Sequence, residues 1–254
     1  IDVAEIDPRA IREFLVWERE HNSATTAVHS HATLSVFFGW ADREGLIRKN
    51  PMCVVPRPRL ARRVIQALKP EHVEAMLASC GRDFAGLRDK ALILVLFDCG
   101  LRASEAASLT LGAIDWDVQT FRVRGKGSKE RLVPFGNVVR RALADYLPAR
   151  SERGCDRDHV FINCFGEPLD RRGIRKRVQA RGEQAGITGV RLSPHTLRHT
   201  FAINYLRNGG GVFDLQKILG HETLEMSRRY AELADGDVIA KHRIASPADA
   251  LAKA

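Results

Sequence analysis

FAGLRDKALILVLFDCGLRASEAASLTLGAID, residues 84–115, holds a long apolar segment, a glycine break and a short polar restart. Residues 84–98 read as a helix in which Leu92, Ile93, Leu94, Val95, Leu96 and Phe97 are buried on all sides, the pattern of a helix at the centre of a core. Gly100 ends it. A second, short helix follows, with Arg102 at its start and Glu105 three positions on.

Working outward, residues 70–80 read as a helix from Lys69-Pro70. Ahead of them lies NPMCVVPRPRLARR (50–63), whose three prolines and four arginines exclude a continuous helix and suggest a basic linker. Asp7-Pro8 offers an N-cap and a first-turn proline, with Ile11, Phe14, Leu15 and Val16 forming an apolar stripe to about Glu20. Ser23 caps a second helix whose expected buried residues are Val28, Leu34, Phe37, Phe38 and Trp40. Downstream, Phe121–Arg124 and Arg131–Pro134 read as strands around the glycine-rich turn at Gly125–Ser128. Then come a helix at 136–147, a short strand at His159–Ile162 and a helix at 171–184. Ser193-Pro194 opens a helix to about Arg207, and three short helices fill 212–220, 223–233 and 235–244. The expected fold class is mainly α with a small antiparallel β-sheet in two domains, 1–60 and 61–254.

The chain has 254 residues and a formal net charge of +9. The window 121–181 alone holds 16 Lys and Arg against 7 Asp and Glu, so it carries a surplus equal to that of the whole chain. Concentrated cations favour a polyanion, because they neutralise phosphates and release counterions; a solvated basic face is the other reading. No run of about 18 apolar residues suggests a membrane span. Five cysteines (Cys53, Cys80, Cys99, Cys155, Cys164) form no CxxC, and no secretory pattern opens the chain, so a reduced, cytoplasmic setting on the nucleoid is expected. The absence of an initiator Met suggests a fragment or a processed product. His29-x-His31 lacks further metal ligands nearby, and His221-Glu222 does not extend to HExxH because position 225 is Glu.

The chemistry-bearing residues sit where elements begin or turn. Arg102 starts a helix. His195 and Arg198, three apart, share a helical face. His221 follows Leu219-Gly220, Tyr230 lies nine residues later, and Lys126 occupies the hairpin tip. Two guanidiniums can hold the non-bridging oxygens of a phosphodiester and stabilise the charge added in a pentacoordinate transition state. A tyrosine hydroxyl can attack phosphorus, but with an ordinary pKa near 10 it needs a cation or a base close by. A histidine can shuttle the proton and a lysine can protonate the leaving oxygen. No carboxylate cluster offers itself to a metal, and no cofactor is expected.

These residues resemble the tyrosine recombinases, the phage-integrase-like family with its bacterial Xer branch. CGLRASEAASLTLGAID (99–115) resembles the first arginine box, RGKGSKERLVPFG (124–136) the lysine hairpin, SPHTLRHTFA (193–202) the His-x-x-Arg box and LGH (219–221) the next box, before a nucleophile box ending at Tyr230. The separations also fit: 24 residues from Arg102 to Lys126, 23 from Arg198 to His221, 9 from His221 to Tyr230. Ala231-Glu232 and Met226-Ser227 depart from the family's common residues without removing a catalytic group. Residues 1–60 resemble the family's helical DNA-clamping domain with its first helix or helices missing.

The resemblance implies Tyr230 as nucleophile, Arg102 and Arg198 as phosphate clamp, Lys126 as general acid with Lys129 its competitor, His195 in proton transfer with Tyr230, and His221 on the phosphate. It implies a 3′-phosphotyrosyl intermediate without metal or ATP. It also implies double-stranded DNA as partner and a homotetramer assembled by exchange of the tail 236–254. Lys129, Arg131, Arg171, Arg172, Arg175, Lys176 and Arg177 are the expected DNA contacts, most of them positioning the protein on the backbone. Glu105 and His199 read as supporting residues, and Tyr146 and Tyr205 as structural. A type IB topoisomerase, which rejoins the same strand, and a DNA-binding factor without catalysis are the alternatives.

Overall fold

Asp7 and Ser23 cap the first two helices as their sequence context predicts. The Asp7 carboxylate accepts the Ala10 N–H at 2.7 Å ahead of α1 (Pro8–His21), and Ser23 Oγ accepts the Thr26 N–H at 3.1 Å ahead of α2 (Ala24–Arg43). The computed structural model describes residues 3–59, 67–125, 130–154, 157–221, 223–234 and Ser246. It divides into two units, Ile1–Val64 and Ile65–Ala254.

In the first unit α1 and α2 pack on each other and on a 3₁₀ turn, Pro51–Val54, around Ile11, Leu15, Phe38, Ala41, Ile47, Met52 and Val55. His31 Nε2 donates to the Val55 carbonyl at 3.0 Å and so fastens α2 to the segment after that turn. Not all the expected stripe is covered. Phe14, Val16, Phe37 and Trp40 are 41, 54, 39 and 45% exposed, whereas Phe38 is 1% exposed. Consecutive helical residues point about 100° apart, so Phe37 and Phe38 cannot both face α1.

The second unit is built around α4 (Phe84–Cys99), which follows α3 (Pro70–Ala78). Ala91, Leu92, Val95, Leu96 and Cys99 are fully buried, as expected of a helix apolar all round. It packs against α5 (Ala103–Ala107), α6 (Asn137–Ser151), α7 (Arg171–Gln184) and α8 (Pro194–Arg207). Its buried Asp89 takes bonds from Arg88 and, at 2.8 Å, from Arg181 of α7, which pins those two helices together. Strands β1 (Ile114–Asp115), β2 (Thr120–Arg124) and β3 (Glu130–Pro134) form one antiparallel sheet in that order, with Phe121 opposite Val133 and Val123 opposite Arg131. The period-2 alternation puts Phe121, Val123, Arg131 and Val133 on the covered face and leaves Leu132 62% exposed. Two short helices, α9 (Val212–Leu219) and α10 (Leu224–Ala234), lie against α8, and α9 also meets β3.

The strand expected at 159–162 is not one. His159 and Ile162 each make a single bridge, to Thr110 and Pro168. Just beyond, the Asn163 side chain accepts the N–H groups of Phe165 and Glu167 and turns the chain before a ladder can extend. The helix expected at 235–244 lies outside the described residues. No described helix is long and apolar enough to cross a membrane.

Candidate active site

Two helices end here on left-handed glycines. Gly100 (φ 60°) closes α4 and Gly220 (φ 61°) closes α9. A helix C-terminus leaves carbonyls without intrahelical partners and carries the negative end of the helix dipole, so it attracts cations. Arginines take that place. Arg198, from α8 and 3% exposed, donates to the carbonyls of Gly100 at 2.6 Å and Leu219 at 2.7 Å. Arg131, from β3, donates to Ile218 at 2.7 Å, and Arg102 donates to Gly220 at 3.2 Å. The glycines of the CGLR and LGH segments thus turn two helix ends toward one arginine cluster. A Cβ at Gly100 would press on the Phe201 ring and come within 2.7 Å of Leu219 Cδ2, on a backbone that disfavours side chains. Gly100→Ala is therefore expected to destabilise the unit by about 2–4 kcal/mol, measured by urea denaturation.

Glu105 binds the cluster together. Its carboxylate accepts the Arg102 backbone N–H at 2.8 Å, one Arg102 guanidinium N–H at 2.7 Å and both terminal nitrogens of Arg131 at 3.0 and 2.9 Å. A terminal nitrogen of Arg198 lies 3.9 Å away. Burial pushes the Glu105 carboxyl up, but the hydrogen bonds and charge from Arg131 and Arg102 outweigh it, so the group sits below its ordinary value and stays ionised. One carboxylate faces three arginines, so the cluster keeps an excess of positive charge suited to an anion. Burial and the charge of Arg102 lower Arg198 to about 10, which still leaves it cationic at neutral pH. The Arg102 side chain is 41% exposed and reaches solvent.

Tyr230 projects from α10 into the same cluster and is 1% exposed. Its hydroxyl is hydrogen-bonded to His199 Nδ1 at 2.5 Å, its ring lies 5.5 Å from that of His199, and it stacks at 6.2 Å on His221. His221 Nδ1 pairs with Ser227 Oγ at 3.0 Å, which sets the ring between α9 and α10. His195 meets His199 edge to face at 4.1 Å and is exposed on its outer side. Burial and nearby arginines lower all three histidines: His221 to about 4, His199 to about 4 with His195 adding to the shift, and His195 in the same direction. The downward shifts favour the neutral form of all three rings at pH 7.

The second unit therefore brings together Arg102, His195, Arg198, His221 and Tyr230 from four separate segments. Lys126 and Lys129 lie outside the described residues. Arg171, Arg172, Arg175 and Lys176 are exposed along α7 and Arg177 is half-buried, while Ile174 and Val178 turn inward. Arg131 differs from its expected place on the surface: its side chain is 14% exposed and its guanidinium is held by Glu105 and the Ile218 carbonyl. His199, read as a supporting residue, is hydrogen-bonded to the tyrosine hydroxyl. The signal was its i+4 spacing from His195, which places both rings on one face of α8.

The family model described as the phage integrase family matches residues 66–236. The chain is 35% identical to tyrosine recombinase XerD of Halalkalibacterium halodurans over 233 residues, covering 90% of this chain and 78% of that protein. It is also 35% identical to tyrosine recombinase XerC of Shewanella amazonensis over 191 residues, covering 75% of this chain and 64% of that protein, just under two thirds of its length. Among solved structures it is similar to the XerA recombinase (TM-score 0.63, 26% identity, 96% of this chain and 85% of that one). The XerH recombinase in a post-cleavage complex with difH DNA shares the fold (TM-score 0.79, 22% identity, 97% and 74%). With the arginine, histidine and tyrosine boxes converging on one cluster and the family model covering most of the second unit, the chain belongs to the phage integrase family of tyrosine recombinases.

Proposed function

We propose that this chain is a site-specific DNA recombinase that cuts and rejoins double-stranded DNA through a 3′-phosphotyrosyl intermediate, without metal or ATP. The observation that carries the reading is the placement of Tyr230, its hydroxyl bonded to His199 and its ring stacked on His221, beside the arginine cluster of Arg198 and Arg102. Arg102 and Arg198 hold the non-bridging oxygens of the scissile phosphate, where two fixed guanidiniums stabilise the charge that builds at phosphorus. Their own charge is already fixed by helix-end carbonyls and Glu105, so little reorganisation accompanies the reaction. The Tyr230 oxygen attacks phosphorus in line with the departing 5′ oxygen. The P–O5′ bond breaks, the 5′ oxygen takes a proton from Lys126, and the new P–O bond stores the energy of the old one. His195 and His221 supply proton transfer and a phosphate contact. A partner strand's 5′-hydroxyl then attacks the phosphotyrosine and frees Tyr230.

The basic face of α7, with Arg171, Arg172, Arg175, Lys176 and Arg177, grips the DNA backbone, and Lys129 adds to the hairpin contact. Residues 1–60, similar to the family's helical DNA-clamping domain, contribute further DNA contact. Four copies act on two synapsed duplexes, joined through the tail 236–254. The XerH structure, a relative on its own DNA after cleavage, supports DNA as the partner. The test is a nicked suicide substrate built from the flanks of the gene's own locus. A covalent protein–DNA complex is expected on a denaturing gel, at the same yield in excess EDTA. Absence of the complex on such flanks, or its loss in EDTA, would count against the reading.

A further inference from the structure

We propose that His199 is the base that takes the proton of Tyr230 when the tyrosine attacks DNA. The inference rests on the reading of Tyr230 as nucleophile and deepens it. Three observations carry it. The Tyr230 oxygen and His199 Nδ1 are 2.5 Å apart, at the short end for a hydrogen bond. A phenol is a far stronger acid than a neutral imidazole N–H, and an imine nitrogen a stronger base than a phenol oxygen, so the hydroxyl donates and Nδ1 accepts. Tyr230 is 1% exposed, so solvent is a poor alternative acceptor.

The groups facing His199 explain how it is kept ready. His195 and Arg198 come from its own helix α8, His221 from the end of α9, and Tyr230 from α10. Burial, with the charges of His195, Arg198 and His221, holds the ring neutral down to about pH 4. Of these neighbours Arg198 is the one charged at neutral pH, and a phosphate bound to it would offset that charge and make the His199 ring more basic when DNA enters. In the step itself the Tyr230 O–H bond breaks as the O–P bond forms, the proton passes to Nδ1 and the ring becomes imidazolium. The P–O5′ bond breaks and its oxygen is protonated as above. On rejoining, Nδ1 returns the same proton to the tyrosine oxygen. His195, one turn earlier and edge-on to His199 at 4.1 Å, assists that transfer from the open side of the site.

The experiment measures single-turnover formation of the covalent complex on the nicked substrate between pH 6 and 8.5. Wild type, His199→Ala and His199→Asn are compared, with Tyr230→Phe as control. Melting temperature and DNA gel shift verify that each variant folds and binds. Asn places an amide atom near the Nδ1 position and can accept the hydrogen bond but not a proton. His199→Ala is expected to be about 10²–10³-fold slower at pH 7. Its rate should climb about tenfold per pH unit where wild type is flat, and added imidazole should restore part of it. His199→Asn should remain as slow as alanine. Three outcomes would overturn the proposal: an unchanged rate in His199→Ala; a faster rate, which would make His199 a latch on the tyrosine; or recovery by His199→Asn, which would make the contact one of positioning alone. A covalent complex in Tyr230→Phe would instead overturn the reading of the nucleophile itself.

Discussion

Tyr230→Phe is expected to bind DNA as well as the parent and to form no covalent complex. The substitution deletes one oxygen and keeps a ring that is packed at 1% exposure against His199 and His221. The structural cost includes the hydrogen bond to His199, about 1 kcal/mol, which is small enough that the fold and the basic face of α7 remain. On the proposed reading the chemical cost is the nucleophile, and losing a nucleophile lowers strand cleavage by about 10⁴-fold or more. A denaturing gel of the nicked substrate reads the complex, and a native gel reads binding in the same samples. The chain holds three tyrosines, which limits the alternatives. Tyr146 is fully buried and spends its hydroxyl on the Ile162 N–H at 3.3 Å. Tyr205, whose hydroxyl is made less acidic by burial and Asp214, is ill suited to attack. A complex that survives in Tyr230→Phe would refute the assignment.

What could be read from the sequence, and what could not, follows from the range of each signal. Caps and breaks are local, so Asp7, Ser23, Ser193 and Gly100 mark their helices within a residue or two. The order of the boxes was equally legible, because each is a short string. The inner role of Arg131 was not. Alternation along β3 gives its parity with Val133, but only the fold brings α5 and the end of α9 to that face of the sheet. The exposure of Phe37 and Trp40 escaped for a related reason, since apolar content names candidates for burial and the number of partner surfaces decides which are covered. His199 was visible as a neighbour of His195, yet its contact with Tyr230 spans 31 residues and depends on α10 folding back on α8.

Arg198→Lys isolates what the guanidinium adds beyond its charge. Lysine keeps a cation near Glu105, so the net charge of the cluster is unchanged and the variant should fold. It cannot keep the fork. Arg198 bridges the Gly100 and Leu219 carbonyls, two helix ends apart, with separate nitrogens and still has donors to offer a phosphate oxygen. An ammonium is a compact point charge that can satisfy one of these carbonyls well, or the phosphate, but not all at once. In the ground state the expected loss is small, because the proposed DNA contacts along α7 are unchanged. In the transition state it is large, because the added charge at phosphorus is where a buried, prealigned donor pair counts most. DNA affinity is therefore expected to change by less than about threefold, while single-turnover cleavage falls by about 10³-fold, within the range for arginines that act on transferring phosphoryl groups. If cleavage by Arg198→Lys stayed within about tenfold of the parent, positive charge alone would account for the site. The two helix-end carbonyls would then be structural, and the convergence of Gly100 and Gly220 on Arg198 would have no catalytic meaning.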